Sequence, residues 1–301
     1  MVFREGKAVF VTEEERERLL LRFGSEVLSW CEGLPDLVEV LAGRWDLEVT
    51  GSGGGGTSRV FRCLRRDDGT VVWLKLTPDP LIAREEAEAL DAWAGRRSVV
   101  ALRAQDAAAG ALLLEAVTPG VPAREEAWSP SQVAVMLRDL RDPPPVRAPG
   151  SSLRPLSHRV GFLFDLTARR LEASGMGDRV PSAVLSRSRE AALHLADGGP
   201  VSLVHGDLHS ANVLSGPASR LVAIDPRPSW GDPDFDVLDW VLEGAVGMGE
   251  LQRRIEGLAE TVPGLSPERV LAWCRALAVL LAVPRLRARP DDPHTRFLLS
   301  L

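Results

Sequence analysis

Leu203-Val204-His205-Gly206-Asp207-Leu208-His209-Ser210-Ala211-Asn212-Val213-Leu214 is the stretch on which the reading of this chain turns. Its polar centre sits between apolar ends, so it reads as a loop leaving a short buried strand, Val201–Val204. Thirteen residues past Asn212, Ala223-Ile224-Asp225-Pro226 ends a second short apolar run, Leu221–Ile224. Two acids and an amide at the ends of apolar runs are hard to explain as packing. A carboxylate there costs free energy unless it is paired or meets a metal. The residue types suit phosphoryl transfer, which needs an oriented hydroxyl and charge neutralisation more than covalent work from the protein. Asp207 can accept the hydrogen bond of an attacking hydroxyl, and Asn212 and Asp225 offer the hard oxygens that Mg²⁺ takes. Two other readings stand beside this one. His205 and His209 are four apart and resemble metal ligands, but the intervening glycine and the lack of further clustered histidines argue against a zinc hydrolase. The loop can also be purely structural, with His205 tied to the loop backbone and His209 a loop side chain.

The acidity continues downstream in Gly231-Asp232-Pro233-Asp234-Phe235-Asp236. From His205 to Glu243 there are seven acids (Asp207, Asp225, Asp232, Asp234, Asp236, Asp239, Glu243) against Arg220 and Arg227, a net of −5. One reading is an anionic cleft that attracts a cationic substrate. The plainer one, preferred for Asp232 and Asp234, is helix caps and solvated charges.

Upstream, Gly51-Ser52-Gly53-Gly54-Gly55-Gly56-Thr57-Ser58 satisfies GxGxxG on paper. A dinucleotide fingerprint requires a helix next, and Arg59-Val60-Phe61-Arg62-Cys63-Leu64 alternates like a strand instead. No GK[ST] follows, so a Walker A loop is excluded as well. A flexible linker remains possible, beside a glycine turn between strands that lays backbone N–H groups over phosphates. Lys75 lies in the apolar strand Val71–Leu76, where a lysine is either on the solvent face or in need of a charged partner. The following helix, 81–94, offers Glu86, Glu88 and Glu85, in that order of preference, because Glu86 shares a face with Leu90 and Trp93. Only two lysines occur in the chain, Lys7 and Lys75.

The 301 residues are 45% hydrophobic and 26% charged, with a net charge of −6. This is ordinary globular composition, and the acidity disfavours nucleic-acid binding. Cys31, Cys63 and Cys274 lie far apart, which indicates neither disulfides nor zinc and suits a reducing cytoplasm. No secretory signal is visible, and the apolar stretch Val270–Val283 is short and broken by Arg275, so no membrane association is expected. Residues 12–43 read as helical with Gly33-Leu34-Pro35 interrupting the run and Gly43 ending it. Strands follow at Trp45–Thr50, Val60–Arg65 and Val71–Leu76, the last two joined by the turn Asp67-Asp68-Gly69, and Ala111–Val117 reads as buried strand. An N-terminal α+β part, residues 1–117, thus precedes a mainly helical part, residues 118–301.

Together these motifs resemble the aminoglycoside/hydroxyurea antibiotic-resistance kinases, the group typified by streptomycin 6-phosphotransferase, within the aminoglycoside phosphotransferase and choline-kinase-like relatives of protein kinases. The resemblance runs from Trp30-Cys31-Glu32-Gly33-Leu34-Pro35 and Arg44-Trp45 to about Trp240. It includes Asp68-Gly69-Thr70, Leu74-Lys75-Leu76, Ala89-Leu90-Asp91-Ala92-Trp93, Leu112-Leu113-Leu114-Glu115, HGDLHxxNVL and AIDPxPxxGDPxFD. It implies an α+β, two-lobed protein-kinase-like fold that uses ATP and Mg²⁺. Asp207 would then be the catalytic base, Asn212 and Asp225 the Mg²⁺ ligands, and Lys75 the partner of Glu86. Gly53, Gly54, Gly55, Gly56, Thr57 and Ser58 would cover the phosphates, although four consecutive glycines depart from the family's pattern. Glu115-Ala116-Val117 would form the hinge whose backbone binds adenine, Glu115 and Val117 included. Asp236 would buttress the catalytic loop.

The expected function is therefore ATP-dependent phosphorylation of a hydroxyl on a small cationic molecule, with a streptomycin-like aminoglycoside first. The alternatives are a metabolic kinase of a choline-like or sugar-like acceptor and a catalytically silent nucleotide-binding protein. Trp240 and Trp273 are either pocket-lining or core, and a monomer or weak dimer is expected.

Overall fold

Thr12 fixes where the first helix starts. Its hydroxyl accepts from the Glu15 N–H, and the Glu15 carboxylate accepts from the Thr12 N–H at 2.8 Å, a reciprocal cap for α1 (Glu13–Phe23). The computed structural model of the protein describes residues 2–4, 7–54, 58–142, 145–176 and 179–301. The chain divides into two compact units, Met1–Gly95 with Val100–Val117, and Arg96–Val99 with Thr118–Leu301. The segment Arg96–Val99 thus goes with the second unit, although the sequence alone suggests a single cut after Val117.

In the first unit, α1 is followed by α2 (Val27–Arg44), and β1 (Val2–Arg4) pairs antiparallel with β2 (Lys7–Val9). The expected interruption at Gly33-Leu34-Pro35 does not occur. The break falls instead at Gly24, whose φ of 79° ends α1, and α2 runs through Pro35. Proline inside a helix costs about 3 kcal/mol. Cys31, Leu34, Val38 and Leu41 are all buried on one side of α2, each at about 1.5–3 kcal/mol for a large apolar side chain, and together they outweigh that cost.

Five antiparallel strands form the sheet: β3 (Leu47–Gly54), β4 (Arg59–Arg65), β5 (Val71–Leu76), β6 (Leu102–Asp106) and β7 (Ala111–Glu115), in the order β3-β4-β5-β7-β6. Along β4 burial alternates, with Val60, Arg62 and Leu64 only partly buried and Phe61 and Cys63 turned inward. They meet Leu34, Val38 and Leu41 of α2 and Leu74 and Leu76 of β5 in one core. Strand β3 continues into the glycines, so Gly53 and Gly54 are strand residues paired with Val60 and Arg59. Helix α3 (Pro80–Ala92) starts behind Asp79, whose carboxylate accepts from the Leu81 N–H.

The second unit is mainly helical, with α4 (Pro130–Arg141), α5 (Leu156–Ser174), α6 (Ser182–Asp197), α7 (Leu238–Leu242), α8 (Met248–Ala259), α9 (Pro267–Ala288) and α10 (Pro293–Ser300). Helix α9 is its spine: Val270, Trp273, Cys274, Leu277 and Val283 are buried, and α5, α6, α8 and α10 pack on it. Two short antiparallel ribbons carry the loops, β8 (Ser202–Val204) with β11 (Ser229–Gly231), and β9 (Val213–Ser215) with β10 (Leu221–Ala223). The architecture is α+β. Among the described residues no helix is long and apolar enough to cross a membrane.

Candidate active site

Strand β8 delivers its chain directly into His205-Gly206-Asp207, and one buried carboxylate shapes that turn. Asp236 accepts the His205 N–H at 2.7 Å on one oxygen and the Gly206 N–H at 2.9 Å on the other. Burial pushes the Asp236 carboxyl up to about 7, against the two donors, which favour the anion. Gly206 has a φ of 76°, and a Cβ there would lie 2.1 Å from the Arg227 carbonyl oxygen, so the turn admits only glycine. His205 is fully buried. Its Nδ1 accepts the Asp207 N–H at 3.4 Å, which leaves Nε2 to donate to the Ile224 carbonyl at 3.1 Å. Burial pushes its pKa down to about 4, against the pull of Asp207 and Asp225. The imidazole braces two loops, with both ring nitrogens hydrogen-bonded to backbone.

Asp207 follows with a third of its side chain exposed. The Arg159 Nη2 donates to its Oδ1 at 3.0 Å, and the Asn212 Nδ2 donates to its Oδ2 at 3.1 Å. Asn212 closes a short turn, Ser210–Asn212, and its carbonyl accepts the Ile224 N–H at 2.9 Å, extending the β9–β10 pairing to the residue before Asp225. Asp225 has a φ of 55°, a left-handed conformation uncommon outside glycine and found where a side chain must be aimed. Its carboxylate lies 3.3 Å from Arg227. The Asn212 amide nitrogen is committed to Asp207, so its amide oxygen is the group available to a cation. An amide oxygen and a carboxylate suit Mg²⁺, which is held by few protein oxygens and completes its shell with water and phosphate. No cluster of three His, Cys, Asp or Glu side chains capable of caging a metal occurs among the described residues.

In the first unit, Lys75 and Glu86 are both buried, and the Lys75 Nζ lies 2.7 and 2.6 Å from the two carboxylate oxygens. Strand β5 and the inward face of α3 bring them together, as the spacing of Glu86, Leu90 and Trp93 suggests. Ser58 is buried at the start of β4's approach, and Gly55, Gly56 and Thr57 lie outside the described residues. Glu115 ends β7. Its carboxylate accepts from the Ala101 N–H and meets Arg103 at 3.0 Å, so its side chain is tied to the neighbouring β6 edge. Val117, half-buried, ends the unit.

The acidic run does not form one anionic cleft. Asp232 is buried and holds Arg269 at 2.6 Å and the Trp273 Nε1 at 2.8 Å. Asp234 is buried against Arg141 at 3.0 Å and the Ser266 N–H at 3.1 Å. With Asp236 also inside, three of the seven acids are structural. Asp207 and Asp225 carry arginine partners, and Glu243 accepts from the Ser210 hydroxyl at 3.2 Å. Asp239 sits close to Asp207 and Glu243. Burial and those like charges hold its carboxyl above the ordinary range, with His209 opposing. Trp273 is core, whereas Trp240 packs edge-on against Trp128 at 4.9 Å and lines a cavity of about 250 Å³ with Val133, Glu243 and Arg254.

Arg159, Arg141 and Arg269 are absent from any reading of the motifs. Each comes from a helix far away in sequence, and an arginine on an amphipathic helix carries no signal that distinguishes an ion pair inside the site from a solvated charge.

Residues 44–288 match the model of the aminoglycoside/hydroxyurea antibiotic resistance kinases. A hydroxyurea phosphotransferase of Kitasatospora aureofaciens is 35% identical over 90% of this chain and 78% of its own. A streptomycin 6-kinase of Streptomyces glaucescens is 30% identical over 89% of this chain and 88% of its own. Among solved structures, the choline kinase LicA of Streptococcus pneumoniae shares the fold with a TM-score of 0.60 at 14% identity, over 90% of this chain and all of its own, and LicA has also been solved with AMP. The match covers most of the chain, which belongs to the aminoglycoside/hydroxyurea antibiotic resistance kinases, phosphotransferases with a hydroxyl acceptor.

Proposed function

We propose that this protein transfers the γ-phosphoryl group of ATP to a hydroxyl of a small antibiotic-type molecule, with Asp207 as the catalytic base. The observation that carries the reading is the placement of Asp207 between Arg159 and Asn212, with the Asn212 carbonyl bonded to the Ile224 N–H, the residue before Asp225. Asp207 accepts the hydrogen bond of the acceptor hydroxyl, aligns its oxygen for attack and takes up its proton as the new P–O bond forms and the bond from the γ-phosphorus to the bridging oxygen breaks, releasing ADP. Asn212 and Asp225 hold Mg²⁺ through their side-chain oxygens. When bound, the cation neutralises phosphate charge. Lys75, oriented by Glu86, presents a fixed ammonium to the nucleotide phosphates. The glycine-rich segment from Gly53 to Ser58 offers backbone N–H groups to the same phosphates, and the chain at Glu115–Val117 offers backbone groups to the adenine.

A streptomycin-like aminoglycoside is the first acceptor reading, in keeping with the streptomycin kinase relatives. A small uncharged hydroxyl compound of the hydroxyurea type is the second. It is favoured by the arginines set against Asp207 and Asp225, which weaken the field that would gather a polycation. Mg·ATP consumption across a panel of streptomycin, other aminoglycosides, hydroxyurea, choline and simple sugars tests both. Acceptor-dependent ADP release that disappears in Asp207→Ala is expected. Release on choline or sugars alone would move the protein to metabolism, and none on any acceptor would overturn the reading.

A further inference from the structure

Two side chains hold the Asp207 carboxylate, and each also holds the Asp207 backbone or the peptide beside it. Arg159 donates from Nη2 to Oδ1 at 3.0 Å and from Nε to the Gly206 carbonyl at 3.1 Å. Asn212 donates from its one amide nitrogen to Oδ2 at 3.1 Å and to the Asp207 carbonyl at 3.0 Å. A side chain bridged to its own main chain from both sides has its rotamer fixed without any contact from substrate.

We infer that Arg159 is a positioning residue for phosphoryl transfer, its guanidinium locking the Asp207 carboxylate in the orientation that receives the acceptor hydroxyl. The inference rests on the function proposed above. The fork is suited to this task because Nε and Nη2 lie on one rigid edge, so two acceptors are gauged against each other; a lysine ammonium on a flexible stem cannot do this. Arg159 is itself held. Its side chain is mostly buried, it lies 5.8 Å above the Phe162 ring, and it stands on the first turns of α5. That end of the helix is pinned to β11, where the Trp230 N–H meets the Arg154 carbonyl at 2.9 Å, and β11 pairs with the strand that feeds the loop. Phosphoryl transfer through a loose transition state asks for orientation of the nucleophile more than for a strong base, so a carboxylate with a guanidinium beside it still serves.

Arg159→Lys and Arg159→Ala are compared with the wild type and Asp207→Ala for turnover at saturating acceptor, nucleotide affinity and melting temperature. Both Arg159 variants are expected to lose kcat by about 10²-fold with nucleotide affinity unchanged. Added guanidinium ion is expected to restore part of the turnover of Arg159→Ala and none of Asp207→Ala. Wild-type turnover in Arg159→Ala overturns the inference, as does a loss that tracks a fallen melting temperature and ignores guanidinium. If the wild type turns over no acceptor, the proposed function fails, and the clamp is judged by side-chain NMR. Hindered guanidinium rotation in the wild type that is released in Asp207→Asn supports it, and free rotation in both overturns it.

Discussion

The Oδ2 atom of Asp236 lies 2.7 Å from the backbone nitrogen of His205, so two buried residues with proton affinities displaced in opposite directions meet at one loop. His205 falls from 6.5 to about 4, and Asp236 rises from 3.8 to about 7, both through burial. The displacements are worth on the order of 3 kcal/mol for His205 and 4 kcal/mol for Asp236.

Their effects on stability oppose each other. Folded His205 binds its proton less readily than the unfolded chain does, so its contribution is complete above pH 6.5 and disappears as pH falls towards 4. Folded Asp236 binds its proton more readily, so its contribution is complete below pH 3.8 and disappears as pH rises through 7. In Asp236→Asn the His205 slope is left uncompensated, and stability should climb with pH across 4 to 6.5 more steeply than in the wild type. Urea midpoints measured across that range check this, and parallel curves for the two proteins would refute it.

Removing Lys75 takes the ammonium away from the Glu86 carboxylate, which is only 1% exposed. Lys75→Ala should cost about 3–5 kcal/mol of stability, whereas Lys75→Met with Glu86→Leu should cost far less than the two single changes added together. Chemical denaturation of the four proteins measures the coupling. Additive losses would mean that the pair does not stabilise the first unit.

Asp225→Asn keeps the shape of the side chain and a residue type that tolerates a φ of 55°, while removing the charge. Nucleotide binding should then respond to Mg²⁺ at least about tenfold more weakly, with stability little changed. Calorimetric titration with and without Mg²⁺ provides the check. An unaltered metal response would put the ligands elsewhere.

Asp232→Ala leaves the Arg269 guanidinium and the Trp273 N–H without their shared acceptor, at a cost of about 3–5 kcal/mol. Acceptor KM should stay the same. A changed KM with an unmoved melting temperature would assign Asp232 to substrate binding.

What the sequence makes legible is whatever a local pattern encodes. The HGD turn, Asn212 and the aspartate ending Leu221–Ile224 declare themselves by polar residues at the ends of apolar runs. Glu86 is singled out by its helical spacing from Leu90 and Trp93. What it conceals is pairing at a distance. Nothing near Asp232, Asp234 or Asp207 announces Arg269, Arg141 or Arg159, so the sequence offers caps and solvated charges where three of the seven acids are internal and paired. Pro35 misleads for the converse reason, because a local breaker is overruled by tertiary burial of Leu34, Val38 and Leu41.

The internal commitment of Asp232, Asp234 and Asp236 also determines where this enzyme is evolvable. A combinatorial library spread over 231–236 would return mostly chains that fail to fold, since each of those carboxylates already satisfies groups in the interior. Variation aimed at acceptor choice is better placed outside that segment.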